Sequence, residues 1–302
     1  MSGVPFVKDD DPVYGAPTRV SPLIRRVLAR NPGPFTYTGS GTYLVGPDAG
    51  PLAVIDPGPN LDAHLDALVA AVDAAPVSHV LVTHTHKDHC GLARRFADAV
   101  GAPVLAFGPH PATRAEDDAP PLEEGGDRDF APDATLADGD IVKGAGWTLE
   151  AVHTPGHISN HLCFVLREER ALFTGDHLMG WATTVVLPPD GSMADYFDSL
   201  EKLLARDDAV YYPTHGAPIA KPHAFARAVR AHRRMRDGQI LSELDRGPRT
   251  IADIVAKVYA DVDPRLHGAA ALNVFAHLIR LTATGEAVAD PAPEMRARYA
   301  RG

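Results

Sequence analysis

Four apolar, β-rich segments of this chain end in a histidine or an aspartate, and the repeated ending limits the folds it can adopt. The segments "VLVTH", "LEAVHTPGH", "ALFTGD" and "VYYPTH" end at His84, His157, Asp176 and His215. Polar residues on the loops that follow buried strands are held in place by a rigid sheet, which is how many active sites are built. We therefore expect a strand-rich domain that brings these four side chains into one site.

The first of these endings lies in a short turn, "THTHKDHC", that is crowded with side chains able to bind metals. His84 and His86 are two residues apart, so in an extended segment their side chains point to the same side. Asp88 and His89 follow where the chain should enter the helix "GLARRFADAV". The turn can therefore offer two ligands to one ion and two to another. Neutral imidazoles and carboxylates suit zinc, iron or manganese, and the carboxylate of Asp176 can bridge two ions.

Strands alternate with helices along the rest of the first two thirds of the chain. The runs "TYLVG", "LAVIDPG", "SHVLVTH", "APVLAF", "WTLEAVHT" and "HLCFVL" read as strands, and "ADYFDSLEKLLAR" reads as a helix. Asn60 is a candidate N-cap for a helix whose apolar positions Leu61, Leu65, Leu68 and Val72 have helical spacing. Residues 112–135, rich in Asp, Glu, Pro and Gly, are expected to form a loop beside the site.

Length and composition place few further limits on the function. A chain of 302 residues can form one large domain and a small one. No apolar run approaches the roughly 18 residues that span a bilayer, and the N-terminal residues lack the apolar run of an export signal. Two cysteines, Cys90 and Cys163, cannot form a disulfide framework. We expect a cytoplasmic protein with no membrane association and no disulfide partner.

The charge of the chain changes sign near residue 220. Residues 221–302 contain 14 Lys and Arg against 9 Asp and Glu, a balance of +5, whereas residues 1–220 contain 15 against 30, a balance of −15. The change predicts a domain boundary, with one domain at 1–220 and a second at 221–302. The basic run "ARAVRAHRRMRD" is interpreted as a solvated helix face in preference to a polyanion-binding patch.

The motifs together carry a resemblance to a known family. "HTHKDH" resembles the HxHxDH signature of the metallo-β-lactamase superfamily, and "TPGH" at 154–157, "GD" at 175–176 and "THG" at 214–216 follow in the family's order. The resemblance implies an α/β fold, a four-layer αβ/βα sandwich over most of residues 20–220. The stretch "TGDHLMGWATTVVLPPDGSMADYFDSLEKLL" is similar to the two-domain subgroup typified by β-lactamase-like protein 2, which implies a C-terminal winged helix. There, Thr250 and Asp253 suit a capping box and "EAVAD" a short wing.

The resemblance also implies seven metal ligands and two divalent ions, zinc in preference to manganese or iron. The first ion is assigned to His84, His86 and His157. The second is assigned to Asp88, His89 and His215, and Asp176 bridges the two. Asp56 resembles an aspartate that supports a ligand from behind, and His153 and His161 are candidates for the same role. His64, His110 and His177 are expected to be surface or loop histidines, and Cys90 is not expected to be a ligand.

What the resemblance implies for function is hydrolysis by a hydroxide that bridges two metals, with Asp88 as the catalytic residue that orients it and shuttles its proton. The scissile bond stays open between an ester, a thioester, a lactone, a β-lactam and a phosphodiester. One alternative is an endoribonuclease acting on single-stranded RNA, whose activity should weaken when Arg233 and Arg234 are neutralised. The other is a non-catalytic module that binds a partner through the winged helix. Homodimerisation is left open.

Overall fold

The computed structural model describes residues 3–8, 11–73, 75–112, 125–261, 263 and 267–302. Seven strands form a first sheet in chain order: β1 (Thr18–Arg19), β2 (Ile24–Leu28), β3 (Gly41–Val45), β4 (Leu52–Ile55), β5 (Val77–Leu81), β6 (Val104–Ala106) and β7 (Ala134–Thr135). Five form a second sheet in the order β12-β11-β10-β9-β8: β8 (Ile141–Gly144), β9 (Trp147–His153), β10 (Leu162–Leu166), β11 (Ala171–Gly175) and β12 (Val210–Pro213). The strands expected from "TYLVG" to "VYYPTH" are therefore present.

The two sheets pack face to face because their central strands are apolar on both sides. In β4, Ala53 and Ile55 face the space between the sheets, while their neighbours Leu52 and Val54 face the opposite side. Successive side chains of a strand point to opposite faces, so a strand covered on both faces reads as a continuous apolar run. The hydroxyl of Tyr43 on β3 also donates a hydrogen bond to the carbonyl of Pro213 in the second sheet, at 2.6 Å.

Helices cover the outer face of each sheet and complete four layers. Helices α1 (Asp62–Val72) and α3 (Ala93–Val100) pack on the first sheet, and α4 (Met193–Leu204) and the start of α5 (Pro222–Leu244) pack on the second. A short helix, α2 (Lys87–Cys90), lies between β5 and α3. This is the expected αβ/βα sandwich. None of the helices in the described part of the chain has the length and apolar character needed to cross a bilayer.

The C-terminal region forms a winged helix with its own core. Its elements are β13 (Arg249–Thr250), α6 (Ile251–Val258), α7 (His267–Ala283), β14 (Ala287–Asp290) and β15 (Arg298–Arg301), and the three strands pair in the order β13-β15-β14. The capping box is confirmed, since Thr250 Oγ1 accepts from the Asp253 amide and the Asp253 carboxylate accepts from the Thr250 amide. The wing expected at "EAVAD" is β14.

Helix α5 belongs to both cores. Phe225 and Val229 pack with α4 on the second sheet, whereas Ile240 and Leu244 pack with α6 and α7. The expectation that this basic helix is a solvated face is wrong for part of it, because Arg233 is only 2% exposed. The division of the chain at residue 220 stays a prediction.

Two further local expectations fare differently. Helix α1 begins after Leu61 without a side-chain cap, and Asn60 instead accepts a hydrogen bond from Arg95 at 2.6 Å, so the capping role expected for Asn60 is wrong. Of the loop expected at 112–135, residues 113–124 lie outside the described residues. The end of that range forms β7, which is the edge strand of the first sheet.

Candidate metal centre

The seven predicted ligands lie on the segments that follow one strand of the first sheet and three strands of the second. His84 and His86 follow β5, and Asp88 and His89 lie in α2. The other three follow strands of the second sheet: His157 after β9, Asp176 directly after β11 and His215 after β12. All seven are buried or half-buried. Their ligand atoms form three overlapping groups in which every atom lies within 4.8 Å of the others.

The first group contains three imidazole nitrogens, from His84, His86 and His157. His86 Nδ1 lies 2.9 Å from His84 Nε2 and 3.0 Å from His157 Nε2. The ring planes cross at steep angles, so the nitrogens and not the ring faces meet. Three imidazole nitrogens converging on one point are a donor set for a divalent transition metal.

The second group contains one carboxylate and two imidazoles, from Asp88, His89 and His215. Asp88 Oδ2 lies 3.0 Å from His215 Nε2 and 3.4 Å from His89 Nε2. Asp176 lies between the two groups: its Oδ1 is 3.4 Å from the Nε2 atoms of both His89 and His215, and its Oδ2 is 3.8 Å from His157 Nε2. One carboxylate therefore presents a separate oxygen to each group.

A single buried aspartate, Asp56, organises the back of the site. It is held at a positive φ of 50°, at the end of β4. Its carboxylate accepts from the amide and hydroxyl of Thr83 at 2.7 and 2.8 Å, from His89 Nδ1 at 2.8 Å and from the Thr214 hydroxyl at 3.0 Å. Thr83 and Thr214 immediately precede His84 and His215, so Asp56 fixes the chain beside both of these predicted ligands. Its hydrogen bond to His89 Nδ1 also fixes the tautomer of that ring. These are the contacts expected of a residue that supports ligands from behind.

Two other predicted ligands, His157 and His215, are held by hydrogen bonds from Nδ1, the ring nitrogen that faces away from the site, to backbone carbonyls. The Nδ1 atom of His157 lies 2.6 Å from the carbonyl of Val185, and that of His215 lies 3.1 Å from the carbonyl of Gly39. Because a carbonyl can only accept, each of these nitrogens carries the proton and leaves Nε2 free to bind a cation. Neither Val185 nor Gly39 was predicted, since a backbone carbonyl leaves no signal in the residue type.

The protonation states follow from burial and from the neighbouring charges. Burial and the surrounding imidazoles lower the pKa of His84 well below its usual value and that of His86 to about 3, so both rings are neutral. Burial opposes ionisation of Asp88, but His89 and His215 outweigh it and lower the pKa of that carboxyl. Burial also disfavours the charged form of His89, but the carboxylates of Asp88, Asp176 and Asp56 raise its pKa well above the usual range. The site therefore combines the ionised carboxylate of Asp88 and a protonated His89 with the neutral bases His84 and His86.

Two observations show that divalent metals fit this site. Three buried atoms, Asp88 Oδ1, His89 Nε2 and Asp176 Oδ1, have no hydrogen-bond partner among the described residues. Buried polar atoms without partners are rare, and a bound cation would satisfy His89 Nε2 and Asp176 Oδ1. The donor set of imidazole nitrogens and carboxylate oxygens is the one that zinc, manganese and iron accept.

Two glycines allow the close approaches that the site requires. A Cβ atom on Gly156, beside His157, would lie 2.5 Å from the backbone of Tyr196 at the start of α4, so only glycine lets the loop pass there. Gly175 has a positive φ of 49° and directly precedes Asp176. Its missing side chain leaves room for the ring of His161, whose Nε2 would be 2.6 Å from a Cβ atom.

The remaining histidines separate into those that support the site and those that do not. His161 is buried, and its Nε2 lies 3.2 Å from the amide of Asp176, whereas His153 bonds the carbonyl of Ser159 and stacks on Phe107 away from the ligands. His64 and His177 were expected at the surface or in loops: this is wrong for His64, which is buried in α1, whereas His177 lies in the turn after β11 but is buried there. His64 lies 3.1 Å from the Thr42 hydroxyl.

Cys90 adjoins His89 in sequence but belongs to the core. It packs in the apolar cluster beneath the first sheet, and its Sγ points to the carboxylate of Asp127 at 3.9 Å. Burial raises the pKa of this thiol well above its usual range, so it stays protonated. A protonated thiol is a poor metal ligand.

An αβ/βα sandwich that carries this cluster of imidazoles and carboxylates at its strand ends defines a metal-dependent hydrolase. Residues 38–215 match the model of the metallo-beta-lactamase superfamily, and residues 250–293 match that of the beta-lactamase associated winged helix domain. The chain belongs to the metallo-beta-lactamase superfamily.

Relatives of known name support the same placement. An atrochrysone carboxyl ACP thioesterase of Claviceps purpurea is 33% identical over 80% of this chain and 74% of its own length. A beta-lactamase-like protein 2 homolog of Caenorhabditis elegans is 33% identical over 88% of this chain and 86% of its own. The crystal structure of a metallo-beta-lactamase family protein from Thermus thermophilus matches with a TM-score of 0.74 at 25% identity, covering 94% of this chain and all of that one.

Proposed function

We propose that this protein is a dinuclear metallohydrolase that cleaves acyl thioesters. The observation that carries the proposal is the position of Asp176 between two groups of ligand atoms, each with three further donors. The thioester is chosen from the open substrate classes because the similar fungal proteins are named as acyl carrier protein thioesterases. The carrier and the acyl group of this protein's own substrate are not specified by that similarity.

The residues proposed to hold the first ion are His84, His86 and His157, and those proposed for the second are Asp88, His89 and His215, with Asp176 shared. Two divalent ions lower the pKa of water and polarise the oxygen of the scissile carbonyl. The chain itself fixes the ligands through Asp56, Val185 and Gly39 and keeps them buried. Zinc is proposed for both ions.

Asp88 is proposed as the residue that accepts the proton of the attacking water. Its Oδ2 points to His215, at 3.0 Å, and its Oδ1 is buried without a partner in the described part of the chain. With a pKa held below its usual range, the carboxylate is ionised at neutral pH and ready to accept. Water adds to the thioester carbonyl and its proton passes to Asp88 Oδ1. The C–S bond then breaks and the leaving thiolate takes that proton back from Asp88, so the products are a carboxylic acid and a thiol.

The RNA alternative loses one of its supports. Arg233, one of the two basic residues expected to contact RNA, is buried, and Arg234 lies 3.7 Å from the carboxylate of Glu201. Neutralising this pair therefore does not separate RNA cleavage from acyl hydrolysis. The body that carries the ligands also has a charge balance of −15, which opposes binding of a polyanion.

The proposal is tested by metal analysis of the purified protein followed by a substrate panel. We expect the purified protein to contain about two equivalents of metal and to hydrolyse short acyl thioesters, with the released thiol as the measured product. A chelator should abolish the activity and added zinc should restore it. Single-stranded RNA is included, as are an aryl ester and a β-lactam. Turnover of RNA with no thioester hydrolysis would replace the proposed substrate class, and a protein that binds no metal would overturn the mechanism as well.

A further inference from the structure

One buried arginine of the C-terminal region reaches the segment that supports the metal centre. Arg233 lies in the middle of α5 and is 2% exposed. Its Nη2 donates to the carbonyl of Thr184, and its Nη1 donates to Asn273 Oδ1 at 3.1 Å. Within the described part of the chain, no carboxylate lies within ion-pair distance of this guanidinium. Burying an arginine is unfavourable unless its guanidinium is well hydrogen-bonded. The hydrogen bonds to Thr184 and Asn273 therefore offset the cost of burying Arg233.

Thr184 and Val185 connect that arginine to two of the proposed ligands. The Thr184 hydroxyl donates to the carbonyl of Asp176, at 2.6 Å, and lies 3.0 Å from that of His177. The next carbonyl, that of Val185, accepts from the Nδ1 of His157 at 2.6 Å. Two consecutive residues thus hold the ring of His157, a predicted ligand of the first group, and the main chain of Asp176.

The guanidinium is itself fixed from two other helices. Asn273, on α7, accepts one of its hydrogen bonds, and the ring of Tyr196, on α4, lies 5.1 Å from its central carbon. The Tyr196 hydroxyl donates to the carbonyl of His177 at 2.9 Å, beside Asp176. The arginine is therefore the point where α4, α5, α7 and the 184–185 segment meet.

We propose that Arg233 is a positioning residue for the metal centre, which makes the C-terminal region a part of the site. By holding the Thr184 carbonyl, it sets the position of the 184–185 segment and so the orientation of His157 and Asp176. The proposal rests on the two-metal site proposed above. A planar guanidinium can bond Thr184 and Asn273 at once with two separate nitrogens, whereas the single ammonium of a lysine cannot match that fork.

The experiment measures metal affinity and not only turnover. Metal-free wild type and the variants Arg233→Met, Arg233→Lys and Arg234→Met are titrated with zinc against a chromogenic chelator, and the cobalt-substituted forms are compared by visible absorption. We expect Arg233→Met to bind metal roughly tenfold more weakly, at the lower end of the range for groups behind a ligand, with an altered cobalt spectrum. Arg233→Lys should recover part of the affinity. Arg234→Met, at the neighbouring exposed position, should match the wild type.

A second pair of variants covers the case in which Arg233→Met does not fold. Thr184→Val removes the hydroxyl that bonds the Asp176 carbonyl and leaves the backbone in place. If Arg233 acts through this segment, Arg233→Lys should weaken metal binding less in the Thr184→Val background than in the wild type, because contacting groups are not additive. Wild-type affinity and spectrum in folded Arg233→Met, or full additivity of the lysine and valine variants, would overturn the proposal. A wild type that binds no metal would instead overturn the proposed function.

Discussion

Replacing Asp56 by asparagine tests how the ligands of the second group are held. Asparagine has the shape of aspartate but carries one oxygen and one NH₂ group. The carboxylate of Asp56 accepts from four donors: Oδ1 from the Thr83 amide, and Oδ2 from His89 Nδ1 and the hydroxyls of Thr83 and Thr214. In either orientation of the new amide, its NH₂ group faces a group that now donates a hydrogen bond. That group either cannot become an acceptor or becomes one only at the expense of the metal site.

The two orientations have different consequences. If the NH₂ group takes the place of Oδ1, it opposes the Thr83 amide, which has no acceptor form. If it takes the place of Oδ2, His89 must move its proton to Nε2, the nitrogen that faces Asp88 and Asp176, and can then no longer bind a cation there. Hydrogen bonds to an ionised acceptor contribute about 1.5–3 kcal/mol each. We expect Asp56→Asn to lose about 3 kcal/mol of unfolding free energy in the metal-free protein, since two or three neutral bonds survive.

The assay separates this effect from a general loss of stability. Urea unfolding of the metal-free protein gives the stability change, and zinc titration gives the affinities of the two sites. The weaker binding should fall on one of the two equivalents, by about 10- to 100-fold. Asp62→Asn is the matched control, because its carboxylate is 86% exposed and pairs only with Arg95 at the surface. Two equivalents of zinc bound by Asp56→Asn with wild-type affinity would refute the reasoning.

Three further predictions concern protons. Asp88→Ala should keep its fold by circular dichroism and lose about 100- to 10,000-fold in turnover; a variant with a tenth of the wild-type rate would exclude Asp88 as the proton acceptor. Zinc affinity should rise with pH by up to about tenfold per pH unit for each proton displaced. The reason is that the neighbouring carboxylates outweigh burial and raise the pKa of both His89 and His215. Zinc titrations at pH 6.5, 7.5 and 8.5 measure the effect, and an affinity that does not change with pH would contradict it. Burial lowers the pKa of His64 to about 4, below its unfolded value near 6.5. The unfolded chain then binds the extra proton between these values, so the contribution of His64 to stability is full above pH 6.5 and falls as pH drops to 4, by about 3 kcal/mol in total. His64→Gln should lose that part of the pH dependence of urea unfolding, and an unchanged slope would refute the assignment.

The elements that the sequence predicted well are those whose signal is local. Strands such as Leu162–Leu166 are covered on both faces, so an apolar run of five residues identifies them without knowledge of their neighbours. The predicted ligands stand after such runs or in the turn that contains His84 and His89, and the resemblance to the metallo-β-lactamase motifs implied the full set, whose role as ligands stays a prediction. A strand end and a side chain that binds metals are both visible in a few residues of sequence.

What escaped prediction depends on contacts between distant parts of the chain. His177 was expected to be a surface or loop histidine; it lies in the turn after β11, but the ring of Tyr196 on α4 covers it. Val185 supports His157 through a carbonyl, which any residue type would supply. In α7, Leu278 is buried, whereas its apolar neighbour Ile279 is 37% exposed. Helical spacing identifies an apolar stripe but does not say which edge of it the neighbouring helices cover.

The charge boundary near residue 220 has a structural explanation that does not involve nucleic acid. Helix α5 contacts the acidic body (residues 1–220) through Arg230, which donates two hydrogen bonds to the Glu201 carboxylate on α4 at 2.6 and 2.8 Å. Arg280 on α7 is bound to Asp237 at 2.6 Å, and Arg236 donates to the carbonyl of Val258. Cations engaged in this way are not free to neutralise phosphates, which is the contact that dominates nucleic-acid affinity. Arg230 therefore attaches α5 to the acidic body, Arg236 and Arg280 are engaged within residues 221–302, and the buried Arg233 reaches the segment that supports the candidate metal centre.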